Sequence, residues 1–220
     1  MTADKTRRQR IVDVAVELSQ GRGFEQVGLR EVAEKAGVAL GTLYKAFSNK
    51  EEIIGAAVQH ETRRLRRQFD RKPAEGTTPL ERVDNLFSRL TRALTRRPAF
   101  ARTVLGAIST NHPQIAGAVL EHDGETTRII VAALRGRPPE QVTEESYSET
   151  EQTVAFLLRH IWFASMVGWS ADLYPQAGVL GHVHDAARLL LAGAQALGES
   201  GAVESGAVES DAVEADAAES

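Results

Sequence analysis

The chain has 220 residues, 42% of them apolar and 25% charged, with 26 Lys and Arg against 30 Asp and Glu, a formal net charge of −4 and no cysteine. Disulfides, thiolate metal sites and a cysteine nucleophile are thereby excluded, and no apolar run of about 18 residues calls for a membrane span. The charge is uneven: residues 1–72 carry +5 and residues 73–220 carry −9, of which residues 199–220 supply −7, so only the N-terminal third suits a polyanion.

Met1 to Arg8 holds no apolar stretch of signal-peptide type, and a cytoplasmic location is expected. From Arg7 to Gln20, Ile11, Val14, Ala15 and Leu18 fall on one helical stripe that Gly21-Arg22-Gly23 ends. Lys5, Arg7, Arg8 and Arg10 precede or open this helix, where they can form a basic arm to phosphates or simply solvate the terminus. Leu29, Val32, Ala33 and Ala36 then recur at the spacing of one helical face, and Gly37 supplies a residue able to take positive φ and end the helix. After a short Val38-Ala39-Leu40 turn, Leu43 and Phe47 form the inner stripe of a second short helix, leaving Gly41, Thr42, Tyr44 and Lys45 outward. This is the pattern of a helix-turn-helix, and a small residue, a hydroxyl, a phenol and a cation suit DNA.

Gly41-Thr42-Leu43-Tyr44-Lys45-Ala46-Phe47-Ser48-Asn49-Lys50-Glu51-Glu52 resembles the GTLYxxFxxKEEL signature of TetR-family transcriptional regulators, and Val32 to Val38 is similar to the segment before it. The resemblance covers about residues 7–58. Ala39 stands where many members carry Ser, and Ala46 where many carry His or Tyr. Lacking a hydroxyl, Ala39 can neither cap the recognition helix nor donate to a phosphate, so neither contact is carried over. The resemblance implies that Arg30, Gly41, Thr42, Tyr44, Lys45 and Lys50 face double-stranded DNA. Thr42 can reach a phosphate or a thymine methyl, Tyr44 can donate its phenol to phosphate, Lys50 can pair with a phosphate, and Gly41 permits close backbone approach.

Ser48-Asn49-Lys50-Glu51 places Ser three residues before Glu, a capping box opening a long helix from about Lys50 to Lys72 with Ile54, Val58, Leu65 and Phe69 inward. In the family such a helix connects head to body; its Arg63, Arg64, Arg66, Arg67, Arg71 and Lys72 read as a solvated face favoured by the helix dipole. Thr78-Pro79-Leu80-Glu81 starts the next helix, which continues through Val83, Leu86, Phe87, Leu90 and Leu94 to Arg97-Pro98. A short helix with Phe100, Val104 and Ile108 follows, and Asn111-His112-Pro113 opens a longer one that Arg135-Gly136 ends. Residues 135–146 are expected to form an exposed loop. From about Glu149 to Ala171 the chain is apolar on most of its circumference, so a second face needs a partner. Ala177 to Leu197 forms the last helix, and the resemblance implies a four-helix homodimer interface made by the final two helices of each copy. Residues 199–220 repeat the unit Gly-Ala-Val-Glu-Ser imperfectly; seven acids without an aromatic cannot bury a core, and disorder with a solubilising role is expected.

Catalysis finds little support: the six histidines include no pair four apart, and there is no G-x-S-x-G elbow or Walker loop. No catalytic residue, metal or cofactor is assigned, and His182 and His184, two apart and facing different sides of a helix, read as surface imidazoles rather than a metal pair. Leu86, Leu90, Phe100, Leu105, Ile108, Phe156, His160, Trp162, Met166 and Trp169 are candidates for an apolar effector cavity, with core packing the alternative for each. Few inward charges favour a small hydrophobic effector, acyl or steroid-like. The run Leu90 to Pro98 and the Trp-containing helix resemble actinobacterial TetR-type repressors of sterol and lipid catabolism. The expectation is an all-α protein with a helix-turn-helix domain at 1–48, a helical effector-binding and dimerisation domain at 49–198 whose residues 49–72 are the connector, and an acidic tail at 199–220. Its expected role is ligand-responsive repression by a homodimer on an inverted-repeat operator. An activator or effector-independent regulator is the alternative within DNA binding, and a helical carrier or enzyme with a vestigial head the alternative class.

Overall fold

The computed structural model describes the backbone of residues 2–19, 26–109 and 116–217, and the side chains of residues 6–19, 26–106 and 116–197. Among the described residues there are nine α-helices and no strand: α1 (Thr2–Ser19), α2 (Leu29–Lys35), α3 (Leu40–Ala46), α4 (Lys50–Arg71), α5 (Pro79–Thr95), α6 (Pro98–Ser109), α7 (Ala116–Arg135), α8 (Glu149–Ser170) and α9 (Gln176–Ala217). The protein is all-α, as the 3.6-residue periodicities require. The stretches Gly21-Arg22-Gly23 and Asn111-His112-Pro113, and the side chains of Lys5 and Ile108, lie outside the described residues.

Two cores organise the chain. The head core gathers Ile11 and Ala15 of α1, Val32 of α2, Leu43 of α3 and Phe47 around Ile53 and Ala57 of α4, and it also takes Phe100 from α6. The body core is built from Val83, Leu86, Phe87 and Leu90 of α5, Ile129 to Ala133 of α7, Val154, Ala155, Leu158, Trp162 and Met166 of α8 and Val179, Val183 and Ala187 of α9. Helix α4 belongs to both, with Phe69 at its far end in the body core. Because burying each large side chain is worth about 1.5–3 kcal/mol, a helix anchored at both ends cannot swing without disturbing one core.

The helix starts follow local chemistry. Thr78 accepts from the Glu81 backbone N–H while Glu81 reaches back, with Pro79 at the first helical position. Ser148 and Glu151 form the same reciprocal pair at α8. At α4 the cap sits one residue later than the sequence suggests: Asn49 accepts from the Glu52 N–H at 2.9 Å, and Glu52 accepts from the Ser48 N–H at 2.9 Å. Asn is as good a cap as Ser, and it is the residue immediately before the helix.

Two further stretches differ from expectation. Residues 135–146 are not uniformly exposed, since Pro139 and Val142 are buried against the body by two short 3₁₀ turns. Helical backbone in α9 continues to Ala217, through the tail expected to be disordered. Ala and Glu, which dominate the tail, are strong helix formers.

Candidate DNA-contact face and effector cavity

Gly37 takes φ +64° and closes the turn between α2 and α3, its N–H bonding Glu34 O at 3.0 Å while Val38 N–H bonds Ala33 O at 2.9 Å. Ala39 precedes α3 with no side-chain cap. Leu43 and Phe47 are buried, which turns Gly41, Tyr44 and Lys45 to solvent on the opposite side of α3, with Tyr44 51% exposed. Thr42 is half-buried at the start of α3, Arg30 is exposed on α2, and Lys50 opens α4 half-buried. The six candidate DNA residues thus surround the exposed side of one helix-turn-helix.

Arg8 does something else. Its guanidinium lies 4.1 Å from the Phe47 ring centroid and donates to Ala46 O, the last carbonyl of α3, at 2.5 Å. It closes the C-terminus of α3 rather than extending as an arm, and α1 is already helical from Thr2. Arg7 and Arg10 are exposed on that helix. Lys35 Nζ holds α2 to α1 through Glu17 at 2.8 Å.

In the body, an internal cavity of about 60 Å³ lies between α4, α5, α6, α7 and α8. Its apolar wall includes Val58, Leu65, Leu90, Leu94, Phe100, Val104, Leu105, Ile129, Trp162 and Phe163, and its polar edge is Glu61, Thr62, His122 and Thr126. Four candidates from the sequence line it: Leu90, Phe100, Leu105 and Trp162. Trp162 is fixed by its Nε1–H, which donates to Thr91 Oγ1 at 2.9 Å.

The other candidates fall elsewhere for reasons of helix geometry. Leu86 and Met166 share the faces of Leu90 and Trp162 but sit one turn away, fully buried in the body core. Trp169 is on the Trp162 side but about 10 Å farther along α8, half-buried near Arg102. His160 is two residues from Trp162, about 160° around the helix, exposed with the Phe156 ring tilted against it at 3.9 Å between centroids, and it lines a neighbouring space of about 160 Å³ that shares His122, Trp162 and Phe163 with the cavity.

The polar edge was missed in the sequence, where His122 is given no part in the site. His122 Nδ1 lies 2.8 Å from Thr62 Oγ1. Burial pushes its imidazole below the ordinary value of 6.5, opposed by Asp123 and reinforced by Arg159. Glu61 accepts from Arg97 at 2.7 and 3.1 Å and from Arg64 at 3.0 Å. Burial raises the Glu61 carboxyl, yet these two guanidiniums together hold it below its ordinary value. Gln59 to Glu121 at 2.6 Å and Arg66 to Glu125 at 3.0 Å continue this polar contact between α4 and α7. Among the described residues no group of three metal-ligating side chains occurs, and no helix is long and apolar enough to cross a membrane.

Residues 11–57 match the family model for bacterial regulatory proteins of the tetR family, and residues 76–190 match the tetracyclin repressor-like C-terminal domain. The chain is 29% identical over 189 residues to the HTH-type transcriptional repressor KstR of Mycolicibacterium smegmatis, covering 86% of this chain and 89% of that one. It is 30% identical over 167 residues to KstR of Rhodococcus jostii, covering 76% and 74%. A TetR transcriptional regulator from Rhodococcus sp. RHA1 superposes with TM-score 0.72 at 28% identity, over 85% of this chain and 96% of that one. Thermus thermophilus FadR, a TetR-family repressor crystallised with lauroyl-CoA, superposes with TM-score 0.63 at 25% identity, over 84% and 93%. These relatives are transcriptional regulators, not enzymes.

Proposed function

Because the chain belongs to the TetR family of bacterial regulatory proteins, we propose that it is a ligand-responsive transcriptional repressor, a homodimer released from an inverted-repeat operator by a small hydrophobic effector. Arg30, Gly41, Thr42, Tyr44, Lys45 and Lys50 form its DNA face, and one α3 per copy enters each of two successive major grooves. The dimer forms through α8 and α9, whose Phe156, Val167 and Leu189 are large apolar side chains left 51%, 36% and 64% exposed. An acyl or steroid-like effector enters the cavity. That the relative FadR was crystallised with lauroyl-CoA supports the acyl class.

The observation that carries this reading is the position of Phe100. It is part of the head core and of the cavity wall at once, so a ligand that moves it disturbs the packing that orients α3. Val58 and Ala57, adjacent on α4, divide in the same way between cavity and head core. The cavity's 60 Å³ is below the roughly 300 Å³ of ordinary ligand pockets, so binding must open it, and opening is what transmits the signal.

The same small volume favours one second reading, an effector-independent regulator in which this space is a packing defect. A gel shift on the DNA flanking the protein's own gene, across salt and with a library of acyl and steroid compounds, decides. Salt-dependent binding that a library member abolishes supports the repressor. Binding that no member changes supports the second reading, and no specific binding at all removes both.

A further inference from the structure

Beside the cavity a space of about 160 Å³ opens between α7 and α8, and His122, Trp162 and Phe163 line both. Arg159 and Asp123 also line this side space and form an ion pair with each other. Arg159 Nε is buried without a hydrogen-bond partner among the described residues. The two spaces therefore meet at one imidazole, with a guanidinium close to it.

The hydrogen bonds around Thr62 fix the state of that imidazole. A hydroxyl has one proton, and Thr62 Oγ1 donates it to Val58 O at 2.9 Å. Toward His122 the same oxygen can only accept, so the 2.8 Å contact is a bond from His122 Nδ1–H. Burial keeps the ring neutral, and a neutral imidazole with its proton on Nδ1 has a bare acceptor at Nε2. No hydrogen bond to Nε2 occurs among the described residues. An acceptor among apolar walls is costly unless a donor reaches it. The other strong acceptor at the cavity edge, the Glu61 carboxylate, is already taken by Arg97 and Arg64.

We infer that His122 selects for a hydroxyl: the apolar body of the effector occupies the cavity, its O–H donates to His122 Nε2, and the hydroxyl oxygen accepts from the Arg159 guanidinium. This rests on the reading of the cavity as an effector site and favours, within the acyl or steroid-like class, the hydroxylated members. Other polar groups match less well. A ketone, ester or ether oxygen, like an ionised carboxylate, can only accept and leaves Nε2 unpaired, while an ammonium group meets the like charge of Arg159. Thr62 is a positioning residue that acts through His122, holding the tautomer that makes the selection.

The test uses the full chain and isothermal titration with decanol and with decyl methyl ether, which keeps the oxygen and removes its proton. The wild type is expected to bind decanol roughly tenfold more tightly, although the ether carries more apolar surface. His122→Phe keeps a ring without the acceptor and is expected to lose that preference. Thr62→Val lets the ring proton move to Nε2 and is expected to shrink it. In the ligand-free wild type, the nitrogen chemical shifts of His122 are expected to place the proton on Nδ1, a readout that needs no variant to fold. Equal binding of the two compounds by the wild type, binding of neither, a preference that stays whole in either variant, or a proton on Nε2 overturns the inference. Operator release by alcohol and ether at the same concentration preserves the repressor reading while this one fails. A hydroxyl preference in binding, with operator affinity unchanged by decanol, preserves this one while the repressor reading fails.

Discussion

Thr62 Oγ1 on α4 and His122 Nδ1 on α7 lie 2.8 Å apart at the polar edge of the cavity, sixty residues apart in the chain. Burial keeps His122 below 6.5, so the folded protein holds it neutral while the unfolded chain begins to protonate near that value. Below about pH 6.5 the unfolded state therefore binds more protons, and stability falls as pH is lowered. Above it the contribution is complete. Urea midpoints should drop between about pH 7.5 and 5.5 in the wild type and drop less in His122→Gln, whereas equal drops would remove His122 as the cause. Glu61, whose depressed carboxyl acts in the same direction, loses its contribution only below its ordinary value of 4.5 and does not confuse this window.

The turn of the head offers a backbone test. A Cβ on Gly37 would meet nothing within 4 Å, so Gly37→Ala carries only the cost of holding a non-glycine residue at φ +64°. That is about 1–2 kcal/mol, seen as a lower melting temperature. An unchanged melting temperature would show that the turn rearranges.

For DNA contact, Tyr44→Phe keeps the ring and removes the hydroxyl of a residue 51% exposed. Operator affinity should fall about fivefold, or about 1 kcal/mol, with no change in melting temperature. Lys50→Ala should weaken binding to all sequences and make the slope of log affinity against log salt about one unit shallower. An unaltered slope would remove Lys50 from the phosphate contacts.

Leu189 is 64% exposed on α9, so Leu189→Glu adds charge without opening the body core. Sedimentation should show monomers that retain helicity and bind the two-half-site operator far more weakly than the wild type. A variant that still dimerises places the interface elsewhere.

What the sequence made legible was local. The Thr78 box, the Gly37 turn and the buried stripe of Leu43 and Phe47 each follow from residues within one or two turns. What it hid was long-range or a matter of height along a helix. Leu86 and Leu90, or Met166 and Trp162, share a face, and only the positions of neighbouring helices decide which member of each pair meets the cavity. The burial of His122 depends on Thr62 across an interhelical contact that periodicity cannot reveal. Arg64 and Gln68 of α4 line a surface groove of about 520 Å³ together with Arg89, Arg92 and Arg96 from α5 and its end, a juxtaposition that the cations of α4 read alone as a solvated face do not reveal.

The most direct measurement follows fluorescence anisotropy of labelled operator as laurate or lauroyl-CoA is added to the wild type and to Val104→Phe. Val104 lines the cavity from α6, and a phenyl ring there takes up the 60 Å³ available. Both proteins are expected to bind operator equally without ligand, the wild type releasing it as ligand rises and Val104→Phe holding it throughout. Release of operator from both proteins at the same ligand concentration, or from neither, would contradict control of DNA binding by this cavity.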